Sequence, residues 1–151
     1  MTEYGNLNIK IKKLTDTAQA PERANDFAAG ADLRADIKED VTIRPGETLM
    51  ISTGLAMEIP KGYFGAVYPR SGLSTKQGLR LANCVGVIDS DYRGAIGVPL
   101  HNDSPIDQVV VKGERVAQLV IQPYLECSFR EADKLSETER GQNGFGSSGR
   151  L

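Results

Sequence analysis

The sequence predicts an all-β fold, a sandwich or barrel of short strands that ends in a flexible C-terminal arm. Apolar residues alternate with polar ones at period two instead of recurring at helical spacing, which marks half-buried strands. Turn signals fall between these runs at short, regular intervals, as sandwiches and barrels require. The end of the chain is charged and then glycine-rich, with almost nothing to bury, which predicts the arm.

Taken in order, Leu7, Ile9 and Ile11 alternate with Asn8, Lys10 and Lys12. Leu33, Ala35 and Ile37 follow, then Leu55, Met57 and Ile59, and then Ile96, Val98 and Leu100. Val109 with Val111, and Leu119 with Ile121, extend the pattern, and each run predicts a strand with those residues on its inner face. Pro45-Gly46, Pro60-Lys61-Gly62, Asn102-Asp103-Ser104-Pro105 and Lys112-Gly113 supply the turns. Ser74 to Gly78 suits a single turn of helix. Residues 1–133 read as the β domain and 134–151 as the arm, in which Phe145 stands alone among glycines and suits stacking on a base.

A chain of 151 residues buries roughly 70% of its unfolded surface, enough for one ordinary core. Lys and Arg total 18 against 20 Asp and Glu, so no basic field is present to hold a nucleic-acid backbone. A nucleotide must therefore be gripped locally. No apolar run approaches the ~18 residues of a membrane span, and the first residues carry no secretory leader pattern. Cys84 and Cys127 form no Cys-x-x-Cys pair and read as unpaired buried thiols in a cytoplasmic protein. His101 is the single histidine, which excludes a His-rich zinc site and disfavours a Ser-His-Asp triad; it reads as solvated in a polar loop. A metal here would take oxygen ligands, which points to Mg2+.

Four clusters can carry chemistry. Asp32 is the one charge in Ala29-Gly30-Ala31-Asp32-Leu33, and taken alone the cluster reads as a turn capped by its side chain. In Pro69-Arg70-Ser71-Gly72-Leu73-Ser74 the guanidinium, a hydroxyl and backbone N–H groups can hold phosphate, and a surface turn explains them equally. Across Gly86 to Val98 two strands joined through Asp89–Gly94 predict a β-hairpin. Partial burial at the strand end would suit Asp89 to general-base work, and Gly86 and Gly97 let a ligand approach the backbone. Asp91 and Arg93 read as a surface pair. Gln118 sits amid apolar residues in Gly113-Glu114-Arg115-Val116-Ala117-Gln118-Leu119 and needs a partner, a structural one in isolation.

In order and spacing these clusters, with Arg140-Gly141-Gln142-Asn143-Gly144-Phe145-Gly146-Ser147-Ser148-Gly149, resemble the five motifs of the dUTP pyrophosphatase family over nearly the whole chain. The segment Ala24-Asn25-Asp26-Phe27-Ala28 departs from the family's usual Thr-, Ser- and Gly-rich stretch. The resemblance implies a jelly-roll subunit in a homotrimer with sites shared between chains. It also implies Mg2+-assisted hydrolysis of dUTP to dUMP and pyrophosphate, which limits uracil in DNA and supplies dUMP for thymidylate synthesis. By resemblance, Asp89 activates the water that attacks the α-phosphorus, and Asp32 supports the arrangement near the metal-bound phosphates. Arg70, Ser71, Gly72 and Gln118 hold the phosphate chain, and Arg140, Gly146, Ser147 and Ser148 the γ-phosphate. Phe145 stacks on uracil, Asn83, Gly86, Val87, Ile88 and Gly97 form the base pocket, and Tyr92 lies against the deoxyribose. The metal is held mainly by phosphates and water, with Asp32 nearby.

Two alternatives remain from the sequence. A dCTP deaminase, a family with a related fold, would need a glutamate where Ala95 stands. A nucleotide-sensing or protein-binding module of the same fold would be expected to lack Asp89 or the glycine tail.

Overall fold

The computed structural model describes residues 7–144; Phe145, Gly146, Ser147 and Ser148 lie outside the described residues. The described strands are β1 (Lys10–Lys13), β2 (Glu22–Arg23), β3 (Ala31–Arg34), β4 (Val41–Ile43), β5 (Thr48–Ser52), β6 (Leu55–Glu58), β7 (Tyr63–Tyr68), β8 (Leu79–Leu81), β9 (Gly86–Ile88), β10 (Gly97–Asn102), β11 (Gln108–Val110) and β12 (Arg115–Pro123). Every pairing among them is antiparallel. The largest sheet runs β2-β3-β12-β7-β9; a second runs β5-β10-β8, with two-stranded pairs β1-β6 and β4-β11 completing a jelly-roll-like all-β fold. Among the described residues no helix is long and apolar enough to cross a membrane.

The alternation places several strands as expected, but β1 does not bury its expected face, since Leu7 and Ile11 are exposed and only Ile9 packs partly on the core. Along β10, Val98 and Leu100 are buried while Gly97, Pro99 and His101 face outward, and Leu33, Leu55, Ile59 and Leu119 join one core. Val109 and Val111 reverse the expectation: both are exposed, and Val110 between them is fully buried. Three consecutive valines fit either face, so the pairing of Val110 with Val41 decides the register. The helical turn forms at Leu73–Gln77, anchored by buried Leu73, and ends at Gly78 in the left-handed region (φ 72°). Both cysteines are free but exposed, a correction to the expected burial. Asp36 accepts from Thr15 Oγ1 at 2.5 Å and Thr17 Oγ1 at 2.6 Å. These bonds hold its carboxyl below the usual range and tie the segment after β1 to the end of β3.

The expected hairpin does not form. β9 closes the edge of the large sheet beside β7, whereas β10 lies between β5 and β8 in the other sheet. Asp89–Gly94 is therefore an arch from one sheet to the other, and a cleft opens beneath it. β10 has neighbours on both edges, β5 and β8, which leaves no edge for β9, and β9 satisfies its backbone groups on β7 instead.

Asn102, expected in a polar loop, is completely buried. Its Nδ2 donates to the Ile43 and Ile106 carbonyls at 2.8 Å each, and its Oδ1 accepts from the Ser104 N–H and Oγ at 2.8 and 2.7 Å. His101 beside it is partly buried, with Nδ1 2.8 Å from Thr48 Oγ1. Asn102 thus uses all four hydrogen-bonding positions of its amide, and the Ile43 carbonyl is the buried partner that it satisfies. Asn102→Ala should cost about 1–3 kcal/mol, the penalty for stranding a buried partner. Urea unfolding measures this, and a loss under about 1 kcal/mol would show that the loop re-pairs without it.

Candidate active site

The cleft has a volume of about 500 Å3 and is lined by Asn83, Gly86, Val87, Ile88, Asp89, Tyr92 and Gly97, together with residues of β5, β7, β8 and the arch. All seven were expected from the sequence as base, sugar or catalytic positions, and one chain brings them together. On one side stands β9, the edge of the large sheet. On the other stands the outward face of β5 and β10. The arch returns to the core through Ile96, whose N–H donates to Leu55 O at 2.8 Å and whose carbonyl accepts from Thr53 Oγ1 at 2.7 Å.

The arch is tied within itself. Tyr92 N–H donates to Asp89 O at 3.1 Å, and Tyr92 Oη donates to Ala95 O at 2.9 Å. Arg93 Nη1 donates to Ser90 O at 2.7 Å and Tyr92 O at 3.0 Å, so it braces the arch and makes no ion pair with Asp91. Gly94 has a specific purpose the sequence did not reveal. A Cβ there would lie 2.6 Å from Tyr92 Cζ, so the ring rests on bare backbone. Asp89 is exposed rather than partly buried, and no ion pair among the described residues engages it. Its carboxylate lines the cleft without a partner of its own among the described residues.

Asp32, Arg70 and Gln118 form a second cluster on the far side of β12. Arg70 Nε donates to Asp32 Oδ1 at 2.9 Å, and Arg115 Nη1 donates to Asp32 Oδ2 at 3.2 Å. Arg115 went unassigned in the sequence reading. Its spacing from Gln118 on β12 carries no signal that it meets Asp32; only the bulge between Arg115 and Ala117 reveals it, by shifting the register against β3. The Gln118 Nε2 donates to Pro69 O at 3.0 Å, committing one amide proton to the turn that presents Arg70, Ser71 and Gly72. A Cβ at Gly30 would lie 2.6 Å from Gln118 Oε1, so that glycine admits the amide. Two guanidiniums on one carboxylate leave a local excess of one positive charge, suited to phosphate.

These clusters do not meet within one chain. Asp32 lies opposite Gln118, Gln118 opposite Tyr68, and β9 one strand further, with Ile88 opposite Gly65. At about 4.8 Å between strands and about 3.4 Å per residue, the backbones of Asp32 and Asp89 are roughly 20 Å apart. No single phosphorus can be within reach of both. Arg140 lies apart again, its Nε donating to Asn143 O at 3.0 Å. Among the described residues no three His, Cys, Asp or Glu side chains converge as a metal cage.

A family model described as dUTPase matches residues 16–149. The chain is 51% identical over 147 residues to the deoxyuridine 5'-triphosphate nucleotidohydrolase of Desulfitobacterium hafniense, covering 94% of this chain and 97% of the relative. It is 45% identical over 142 residues to that of Rickettsia bellii, covering 93% and 95%. Among solved structures, the Staphylococcus bacteriophage 80alpha dUTPase with dUPNHPP superposes with a TM-score of 0.82 at 32% identity, covering 95% of this chain and 99% of that one. A mutant dUTPase from phage phi11 of S. aureus, described as revealing the coordination of a structural Mg(II) ion, superposes at 0.78 with 25% identity over 87% of this chain.

Gly94→Ala should unseat the Tyr92 ring. The Tyr92 ring resonances in the NMR spectrum should move, with little change in melting temperature. Unchanged resonances would show that Gly94 does not seat the ring.

Proposed function

The chain belongs to the dUTPase family, and we infer from that premise that it hydrolyses dUTP to dUMP and pyrophosphate as a dUTP diphosphatase. The observation that carries the reading to residues is the cleft beneath the arch. It sets a carboxylate without an ion-pair partner among the described residues, Asp89, beside the Tyr92 ring and a hollow with room for a nucleoside. Uracil enters against Asn83 and the backbone of Gly86, Val87, Ile88 and Gly97, and the deoxyribose lies on Tyr92, where a 2′-hydroxyl has no room. Asp89 takes a proton from water, the oxygen attacks the α-phosphorus, and the bond to the bridging oxygen breaks to release pyrophosphate. Exposure of Asp89 in the single chain suits this task, since a base must reach its proton at hydrogen-bond distance.

The phosphate chain requires Arg70, Ser71, Gly72 and Gln118, which cluster with Asp32, and the backbones of Asp32 and Asp89 are roughly 20 Å apart. We propose that copies of the chain complete the site together, as the homotrimer implied by the family motifs would do. Arg140, Phe145, Gly146, Ser147 and Ser148 then belong to an arm, residues 134–151, that closes over a neighbour's site. Every residue from Pro123 to Gly144 is exposed, which supports a segment with no packing of its own. The donor set fits Mg2+ carried on the phosphates: Asp32 is a lone carboxylate whose oxygens both accept from guanidiniums, so it serves the ion at most through water. When bound, the metal neutralises phosphate charge. A cytoplasmic place agrees with two free thiols, and neither nucleic acid nor membrane is a partner on this reading.

Purified protein with Mg2+ should convert dUTP, and not dCTP, to the monophosphate; release of ammonia from dCTP would mark a deaminase instead. Asp89→Asn should retain dUPNHPP while losing about 10²-fold or more in turnover. Asp89→Asn and Arg70→Ala chains, each weak alone, should regain activity when mixed and allowed to exchange. In mixed trimers some sites draw Asp89 and Arg70 from different, intact copies. A mixture no better than its parts would place the whole site in one chain.

A further inference from the structure

The space over Gly97 is already occupied. A Cβ at Gly97 would lie 2.6 Å from the Met50 Sδ and 3.1 Å from its Cγ. On β5, Met50 and Ser52 face outward with Ile51 buried between them, and the register sets Ser52 opposite Gly97 and Met50 opposite Pro99. The Met50 side chain therefore runs diagonally across the sheet onto the backbone of Gly97. The same residues line the cleft, facing β9 across it. From the sequence, Gly97 is a glycine so that a ligand can approach the backbone; on the side where its Cβ would stand lies the chain's own thioether, which leaves the backbone N–H and carbonyl to the ligand.

We propose that Met50 is a specificity-determining residue of the base pocket, whose thioether forms the wall facing the carbon edge of the pyrimidine, and that Gly97 is glycine in order to seat it. This rests on the reading of the cleft as the uracil site. A uracil ring has one polar edge, O2, N3–H and O4, and one carbon edge, C5 and C6. β9 ends the large sheet, so its outer backbone groups have no strand partner among the described residues and can pair with the polar edge. The carbon edge then turns to the opposite wall, where Met50 lies over Gly97. An unbranched, polarizable thioether fills such an irregular gap. A methyl at C5 would have to displace it. Met50 is 68% exposed and outside the core, so its role is not to hold the fold together.

The test uses the full chain with Mg2+, measuring dUTP kinetics and the Ki of dTTP as competitor for the wild type, Met50→Ala, Met50→Leu, Gly97→Ala and the Met50→Ala/Gly97→Ala double variant. Met50→Ala should raise KM for dUTP several-fold with kcat within about twofold. It should also lower the ratio of dTTP Ki to dUTP KM about tenfold, the low end of what one methyl-sized space is worth. Met50→Leu should restore both. Gly97→Ala displaces the sulfur, so the double variant should fall well short of the product of the single effects. An unchanged dTTP ratio in Met50→Ala, or a fully multiplicative cycle, would overturn the proposal. If Gly97→Ala fails to fold, the Met50 pair decides alone. A wild type that does not hydrolyse dUTP is seen before any variant, and it would sink the family reading and this inference together.

Discussion

β12 is hydrogen-bonded along both edges, to β3 on one side and β7 on the other, and the rest of the molecule is arranged around that constraint. A strand held on both sides cannot slide or tilt without breaking two ladders, so its residues act as fixed coordinates. Gln118 sits between Asp32 and Tyr68 in one cross-strand row, which places the cluster of Asp32, Arg70 and Arg115. β7 in turn carries β9, one wall of the cleft. The rigidity that orders each half also keeps the halves apart. The sheet alone holds the strands before Asp89 and before Arg70 in fixed register, which is what supports the proposal that copies of the chain share sites.

Electrostatics is organised at the same local scale. With a formal net charge of −2 the chain offers no general attraction for a polyanion, and attraction must be built where the phosphates go. Asp32, with 14% of its side chain exposed, lies between Arg70 at 28% and Arg115 at 45%. Such half-exposed pairs add little to stability after solvent screening. Their value is positional, since the carboxylate fixes two guanidinium planes that would otherwise sample many rotamers. Fixed donors lose less entropy when phosphate arrives.

Where the sequence was legible, one local property settled the matter. β10 was readable because Val98 and Leu100 alternate with small or polar neighbours, and only one register buries them. The turn at Leu73–Gln77 was readable because Gly78 stops it in the left-handed region. The residues of the cleft were readable because they lie close together in sequence. What escaped depended on partners distant in sequence. Val109, Val110 and Val111 carry no periodicity, so only β4 decides which one is buried. The arch read as a hairpin because the alternation on its two flanks does not say that β7 and β5 are the better partners. Asn102 read as loop because three of its bonds are local, to Ser104 and Ile106, as in any polar turn, and only the fourth, to the Ile43 carbonyl, fixes it in the core. Arg115 was invisible for want of any sign of the bulge.

The glycines near the site connect these observations. Gly30, Gly94 and Gly97 each lack a side chain where another residue of the same protein lies against the backbone: Gln118, Tyr92 and Met50. A glycine in a strand costs stability relative to a residue that packs, so three such positions around one site require a compensating use. The use is the same in each case. A side chain that rests on bare backbone is confined from below by atoms that cannot rotate away, which fixes it better than contact with another mobile side chain would. On the proposed reading of the site, the Gln118 amide, the Tyr92 ring and the Met50 sulfur each start from a backbone seat before any ligand arrives. Preorganisation of this kind lowers the ordering cost of binding. It also makes shape discrimination possible, because a wall excludes a methyl or a hydroxyl only if it cannot step aside.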